Sequence, residues 1–350
     1  MAAQIRLKEL AEALGLSRAT VSRALNGFPE VNKETKARVA EAAERLGYRP
    51  NPVARRLATG RAGAIGVVFP PKANLLLDPH FMEFLVGVVS HCTERGVMLA
   101  LSGAETTGDD LQTYRNLAAS GQIDGVILSG PLVQDPRVPL LMDLGLPFVL
   151  HGRTQAAVPY PFMDIDNRGA FYAQAAHVIA HGHQRVVLLN GLTDYTFAQH
   201  RLDGYRQAFA DAGLTPDPRL IFSASMSEEN GYRQTREALT ETPRPTAFLC
   251  SSMVEALGCL RALRDCSLRV PEDISVVAHD DGLPAVDPAG LNPPLTTSSS
   301  SIRAAGVRVA EHLLALLGGA TPQGIQEVWP VPLVHRASVA APGSDQGFSR

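Results

Sequence analysis

SRATVSRALNG, residues Ser17 to Gly27, interleaves hydroxyl side chains and two arginines with Val21, Ala24 and Leu25 over about three helical turns. Ser17 has the chemistry of a helix N-cap, and Asn26-Gly27 closes the segment. Val21, Ala24 and Leu25 fall where one face can dock on a neighbour. Ser17, Arg18, Ala19, Thr20, Ser22, Arg23 and Asn26 remain for other contacts. A helix that enters the DNA major groove needs small residues for close approach and polar groups near its N-terminus for base edges. Arginine can bond both guanine acceptors at once, so Arg18 and Arg23 are the expected base readers. The competing reading is a surface helix with incidental arginines, and the flanking chain decides between them.

Upstream, Leu7, Leu10, Ala11 and Leu14 share one helical face before Gly15 stops the helix. Downstream, Asn32 can cap a third helix that runs to Leu46 and ends at Gly47. Helix, short glycine-containing turn and second helix make the helix-turn-helix pattern. YRPNPVARRLATGRAG, Tyr48 to Gly63, then brackets about one turn of possible helix with prolines and glycines. It reads as a linker that orders only against a partner, because helix nucleation is costly.

From Ala64 onward, AIGVVFP, VMLAL, DGVILSG, PFVLHG, RVVLLN, TAFLC and ISVVAHDD are short β-rich runs. Helical stretches such as 81–95, 109–120, 198–212, 229–240 and 253–265 lie between them. Strands alternating with helices imply an α/β fold with parallel sheets covered on both faces. About 270 residues exceed one ordinary core, so two lobes are expected, with a ligand cleft at the carboxyl ends of the strands. The expected divisions are a head at 1–49, a hinge at 50–63, a two-lobed body at 64–336 and a disordered tail at 337–350.

Charge follows the same division. Residues 1–62 carry a net +6 and the remainder a net −9, within a chain of net −3. A basic head on an acidic body points to a polyanion partner for the head alone. Cys92, Cys250, Cys259 and Cys266 form no C-x-x-C pair, so reduced structural thiols are expected in place of disulfides or a zinc site. No signal peptide and no membrane span are legible, and a cytoplasmic location is expected.

LSRATVSRALNG, followed by VNKETKARVAEAAERLGYRPNPVARRLATGR, resembles the DNA-binding head and hinge of the LacI/GalR family of bacterial transcription regulators. DNRGAFYAQAAHVIAHGHQRVVLL, HRLDGYRQAFADAGL, LRVPEDISVVAHDD and PPLTTSSSSIRAAG carry the resemblance through the body, over residues 5–335. It implies a hinge helix that enters the minor groove, with Leu57 as the apolar wedge beside Ala54 and Arg55. The physics agrees, since a wedge unstacks a base step and arginines favour the groove's negative potential. The resemblance also implies a body like periplasmic sugar-binding proteins, with three crossover segments and an effector between the lobes.

Position by position, the resemblance nominates His80 and Phe81 in DPHFMEF, Tyr195, Phe197 and Arg201 before RLDG, and Asp280 in SVVAHDD. Met226 matches an aromatic that stacks on ligand. The chain departs from the family at Ser251, Ser252 and Met253, where Ala-Asn-Asp is common. It departs again at His151 and Gly152, where an aspartate is common. Ser252 and His151 are thereby expected at the ligand, and small Gly152 with the two serines leaves room for an oligosaccharide. The HGR and AHDD variants resemble a glucoside-associated branch.

His177, His181 and His183 read as helix-end residues, and no metal or other cofactor is expected. Asp164 and Asp166 read as a strand-to-helix connection with Asn167 as its cap. Neither a phosphate-binding G-x-x-x-x-G-K loop nor a G-x-S-x-G elbow is present, which argues against an enzyme. The expectation is a homodimeric repressor that binds pseudo-palindromic operator DNA under the control of a sugar effector. The alternatives are a purine-like corepressor on the same architecture, or a sugar-binding module without DNA function.

Overall fold

The computed structural model describes residues 5–48, 60–69, 78–103 and 110–343. The hinge positions Ala54, Arg55 and Leu57 lie outside this set. The head is three helices, α1 (Leu7–Leu14), α2 (Arg18–Leu25) and α3 (Lys33–Leu46). Ser17 accepts a hydrogen bond from the Thr20 amide and Asn32 from the Thr35 amide, which satisfies orphan donors at both N-termini. Leu10, Val21, Ala24, Val31, Val39 and Ala42 bury together as a core separate from the body.

The body holds two six-stranded sheets. The first is ordered β11-β5-β4-β3-β1-β2 and the second β12-β10-β9-β8-β6-β7. Its strands are β1 (Ala64–Phe69), β2 (Met98–Gly103), β3 (Gly125–Ser129), β4 (Phe148–His151), β5 (Phe162–Ile165) and β6 (Val186–Asn190). They continue with β7 (Ile221–Ser223), β8 (Ala247–Cys250), β9 (Ser275–Asp280), β10 (Thr296–Ser299), β11 (Gln326–Trp329) and β12 (Leu333–Val334). All pairings are parallel except β10 with β12. Both lobes thus repeat one strand order, and each reverses direction between its first and third strands. That reversal opens a crevice at the carboxyl ends, where ligands of such sheets bind.

Helices cover both faces of each sheet. Pro79–Glu94 and Ile302–Leu317 pack on one side of the first, and Asp110–Ser120 and Arg137–Leu144 on the other. Asn167–Ala180 and Thr196–Asp211 cover one face of the second, and Glu228–Ala238 and Met253–Asp265 the other. The chain crosses between lobes three times, after Ile165, Ser299 and Trp329.

Several elements differ from the sequence reading. β10 is Thr-Thr-Ser-Ser and almost wholly buried, so no apolar run announced it. The cap of the Asn167–Ala180 helix is Asp166, which accepts from the Gly169 amide, while Asn167 is the first helical residue. Residues 337–343 are ordered, against the disorder expected of them, and the rest of the expected tail lies outside the described residues. Ser338 is fully buried, and it donates to the Val276 carbonyl and accepts from the Thr296 amide. The Ala340 carbonyl meets His183 Nε2 at 2.8 Å. Small polar residues looked unstructured because the partners that satisfy them lie 42 to 157 positions earlier.

Glycines set the spacing of the covering helices. A Cβ on Gly87 would overlap the Arg303 carbonyl, and one on Gly306 the Phe84 carbonyl. Gly87→Ala should therefore force this pair apart and destabilise the first lobe by about 1–3 kcal/mol, the usual cost of overpacking. Urea unfolding followed by circular dichroism checks this, and an unchanged midpoint would show that the helices separate freely.

Candidate effector site and nucleic-acid interface

On the head, Ser17, Arg18, Ala19 and Arg23 are exposed, and Thr20, Ser22 and Asn26 are half-buried. The Ser17 and Thr20 hydroxyls lie 2.9 Å apart, and the Asn26 amide donates to the Ser22 carbonyl. Arg23 rests 3.8 Å from Glu30, an exposed pair that contributes little and is easily exchanged for a phosphate or base. Val21 and Ala24 are buried behind this face, so one short helix both docks inward and presents an arginine-bearing surface.

Between the lobes lies a cavity of about 730 Å³. His80, Phe81, His151, Tyr195, Phe197, Arg201 and Met226 all line it. Two expected residues do not. Ser252 is fully buried and spends its hydroxyl capping the Met253–Asp265 helix, accepting from the Glu255 amide. The pattern Ser-x-x-Glu could have announced this. Asp280 accepts from the Gly282 amide two residues on, a tight turn that ends β9 and leaves Asp281 lining the cavity. Asp280-Asp281-Gly282 carried that turn signal in the sequence.

Arg201 is 4% exposed. Its Nε donates to Asn167 Oδ1 at 2.8 Å and its Nη1 to the Ser251 carbonyl at 2.6 Å. The guanidinium stands 5.0 Å from the ring centroids of both Phe171 and Phe197. Buried Arg stays charged and presents a rigid fork, suited to paired bonds with hydroxyls or carboxylates. Tyr195 stacks beside Phe197 with centroids 6.0 Å apart, giving an apolar wall next to the charge. Opposite, His151 stacks on Phe84, and burial lowers its pKa so that the ring is neutral.

Gly152 has φ +104, and a Cβ there would meet Pro131 Cγ at 2.7 Å. The space expected at this glycine is thus filled by Pro131, and a side chain would have to displace it. The loop that follows β3 also closes the cleft. Val133 donates its amide to the Asp194 carbonyl and Thr196 donates to that of Pro131, so backbone joins backbone across the lobes.

A second tie joins the lobes. His80 Nε2 lies 3.1 Å from Asp281 Oδ2, an ion-pair contact without hydrogen-bond alignment, and His80 Nδ1 is 3.2 Å from Asp78. His279 Nε2 approaches the other Asp281 oxygen at 3.2 Å. Burial raises the Asp281 pKa, but His279 and His80 outweigh it and hold the carboxyl far below its usual range.

Among the described residues, no group of three His, Cys, Asp or Glu side chains is arranged to hold a metal. Nor is any described helix long and apolar enough to cross a membrane.

A model for bacterial regulatory proteins of the lacI family matches residues 6–51, and one for periplasmic binding protein-like domains matches residues 175–339. The HTH-type transcriptional regulator AglR of Rhizobium meliloti (strain 1021) is 46% identical over 338 residues, covering 95% of this chain and 94% of that protein. The chain belongs to the lacI family of bacterial transcription regulators. Two solved lacI-family structures align along nearly its whole length. The transcriptional regulator CelR-cellobiose complex is 29% identical with a TM-score of 0.70, over 96% of this chain and 100% of the other. The lac repressor dimer bound to operator and the anti-inducer ONPF is 28% identical with a TM-score of 0.79, over 97% and 100%.

Glu255 was not singled out from the sequence, yet both its carboxyl oxygens are buried without hydrogen-bond partners. Burial pushes its pKa up to about 8, against the pull of Arg201. An acid raised on folding leaves stability intact below its unfolded pKa and removes it as pH climbs to the folded value. Glu255→Gln should melt with the parent chain near pH 4.5 and increasingly above it toward pH 8. A pH-independent gap in thermal melts would show that Glu255 is ionised throughout.

Proposed function

We propose that this lacI-family regulator is a homodimeric repressor whose operator affinity is set by a glucoside of about two sugar units. The carrying observation is the interlobe cavity, which combines a buried arginine fork, a carboxylate and aromatic walls. Its volume falls inside the roughly 300–1,000 Å³ range of small-ligand sites. Arg201 and Asp281 supply a donor and an acceptor for neighbouring hydroxyls, while Tyr195 and Phe197 offer an apolar surface to a sugar ring. A relative of the same architecture is described with cellobiose, a disaccharide of glucose, and this supports the ligand class.

Operator reading falls to the exposed face of α2, led by Arg18 and Arg23, with the hinge residues Ala54, Arg55 and Leu57 at the minor groove. Two heads require two chains. Met82, Val86 and Val89 form an exposed apolar stripe along the Pro79–Glu94 helix, and Met98 and Leu101 are exposed on the adjacent edge strand β2. This face is the proposed dimer contact, since a monomer would leave it in water. Effector that prefers one lobe arrangement then shifts the spacing of the two heads.

A thermal-shift screen of α- and β-linked glucose disaccharides, monosaccharides and purines tests the ligand class. A selective rise with a disaccharide is expected, because a ligand that binds the folded state stabilises it. A rise with a purine alone would replace the sugar with a corepressor of that class. Leu57→Ala should weaken binding to in vitro-selected operator DNA at least tenfold while leaving the disaccharide shift intact. Unchanged DNA affinity would remove the wedge.

A further inference from the structure

A polar chain runs from the core of the second lobe to the first. Gln174 donates to Ser298 Oγ at 2.5 Å, and Ser298 Oγ lies 2.9 Å from His279 Nδ1. His279 Nε2 meets Ser300 Oγ and Asp281 at 3.1 and 3.2 Å. Asp281 then faces His80, and His80 faces Asp78, whose carboxylate caps the Pro79–Glu94 helix by accepting from the His80 amide.

The two imidazoles in this chain have different needs. His279 is satisfied as a neutral ring, accepting from the Ser298 hydroxyl and donating from Nε2 toward Asp281. His80 has a carboxylate against each nitrogen. A neutral His80 would turn one lone pair onto an anion, so only the doubly protonated ring fits between Asp78 and Asp281. Among the other titratable groups nearby, His151 is kept neutral by burial. Arg201 is held by Asn167 and the Ser251 carbonyl, and Glu255 is raised by burial. Arg303, on the helix packed beside His80, is paired to Glu83.

We infer that His80 and Asp281 form a proton-dependent pin that ties the Pro79–Glu94 helix to the crossover at Asp281, so that loss of one proton releases the helix. The location gives the pin its leverage. The Ile302 amide donates to the Asp281 carbonyl, placing Asp281 at the second crossover, and the pinned helix carries the Met82, Val86 and Val89 stripe. The downstream effect on pairing rests on the dimer face proposed above; the pin itself does not.

The sign follows from the geometry. Burial lowers the His80 pKa, but the Asp281 and Asp78 carboxylates outweigh it and hold it at about 10. Once the pin is broken, His80 loses Asp281 and returns toward the ordinary histidine value near 6.5. Below that value the pin is fully favoured. Between it and about 10, the pinned-to-released ratio falls about tenfold per pH unit.

Two measurements on the full chain, without sugar or DNA, test the pin. With ¹³C-labelled histidine, one imidazole should stay protonated through about pH 9, disappear in His80→Gln and titrate at least one unit lower in Asp281→Asn. If every imidazole of the unmodified chain is neutral by pH 8, the pin does not exist. The single tryptophan, Trp329, ends β11 at the third crossover, and its emission reports rearrangement there. Emission from Trp329 should change between pH 7 and 9.5 in the parent chain and stay flat in His80→Gln. Equal change in both chains would show that His80 titrates without moving the hinge. Failure of the disaccharide screen would leave both results standing.

Discussion

One buried cation organises the second lobe. Arg201 cannot shed its proton, so the fold around it has to supply acceptors and exclude competitors. Asn167 and the Ser251 carbonyl meet it from two separate elements, and it lies over the rings of Phe171 and Phe197. The Thr196–Asp211 helix brings the arginine there by packing tightly on Asn167–Ala180 at Gly204, where a Cβ would overlap the Arg168 carbonyl. The same placement leaves part of the guanidinium facing the cavity. Packing, charge satisfaction and the lining of the cavity therefore all depend on one side chain.

The site's other arginines are paired within one lobe. Arg153 pairs with Asp164 at 2.7 Å, and Arg137 with Asp135, all within the first lobe. Those pairs rigidify the walls without spanning the cleft. The spanning contacts include hydrogen bonds between residues 131–133 and 194–196, made by backbone and by the Thr196 hydroxyl, which no titration alters, and the His80–Asp281 pair. A cleft built this way has one fixed edge and one whose strength depends on protonation.

Much of this was legible in the sequence because it rested on local rules. Ser17 and Asn32 cap as their residue types dictate, and the apolar runs from AIGVVF to SVVAHD became β1 to β9 with few omissions. Position-by-position resemblance brought His80, Phe81, His151, Tyr195, Phe197, Arg201 and Met226 to one cavity. What was not legible depended on distant partners. β10 is polar because Ser338 and Arg336 satisfy its hydroxyls and amides, and the tail looked aperiodic for the same reason. The choice between Asp280 and Asp281 turned on a two-residue turn, and Ser252 on a helix cap. Glu255 followed no pattern, since only burial makes an ordinary glutamate unusual.

The repeated strand order of the lobes conceals an asymmetry in how they are completed. The first lobe takes its covering helix Ile302–Leu317 and its edge strand β11 from beyond most of the second lobe. Its core around Val67, Ile127 and Val149 lacks Val309, Ala310 and Leu313 until that distant segment arrives. During synthesis, then, the first lobe emerges early but stays open on one face for about 140 residues. The second lobe lacks only the short stretch from Leu333 to Ala340, which follows soon after. The order of emergence from the ribosome is therefore not the order in which cores can close. A chain that stalls in between exposes the first lobe's apolar face to chaperones or to other nascent chains.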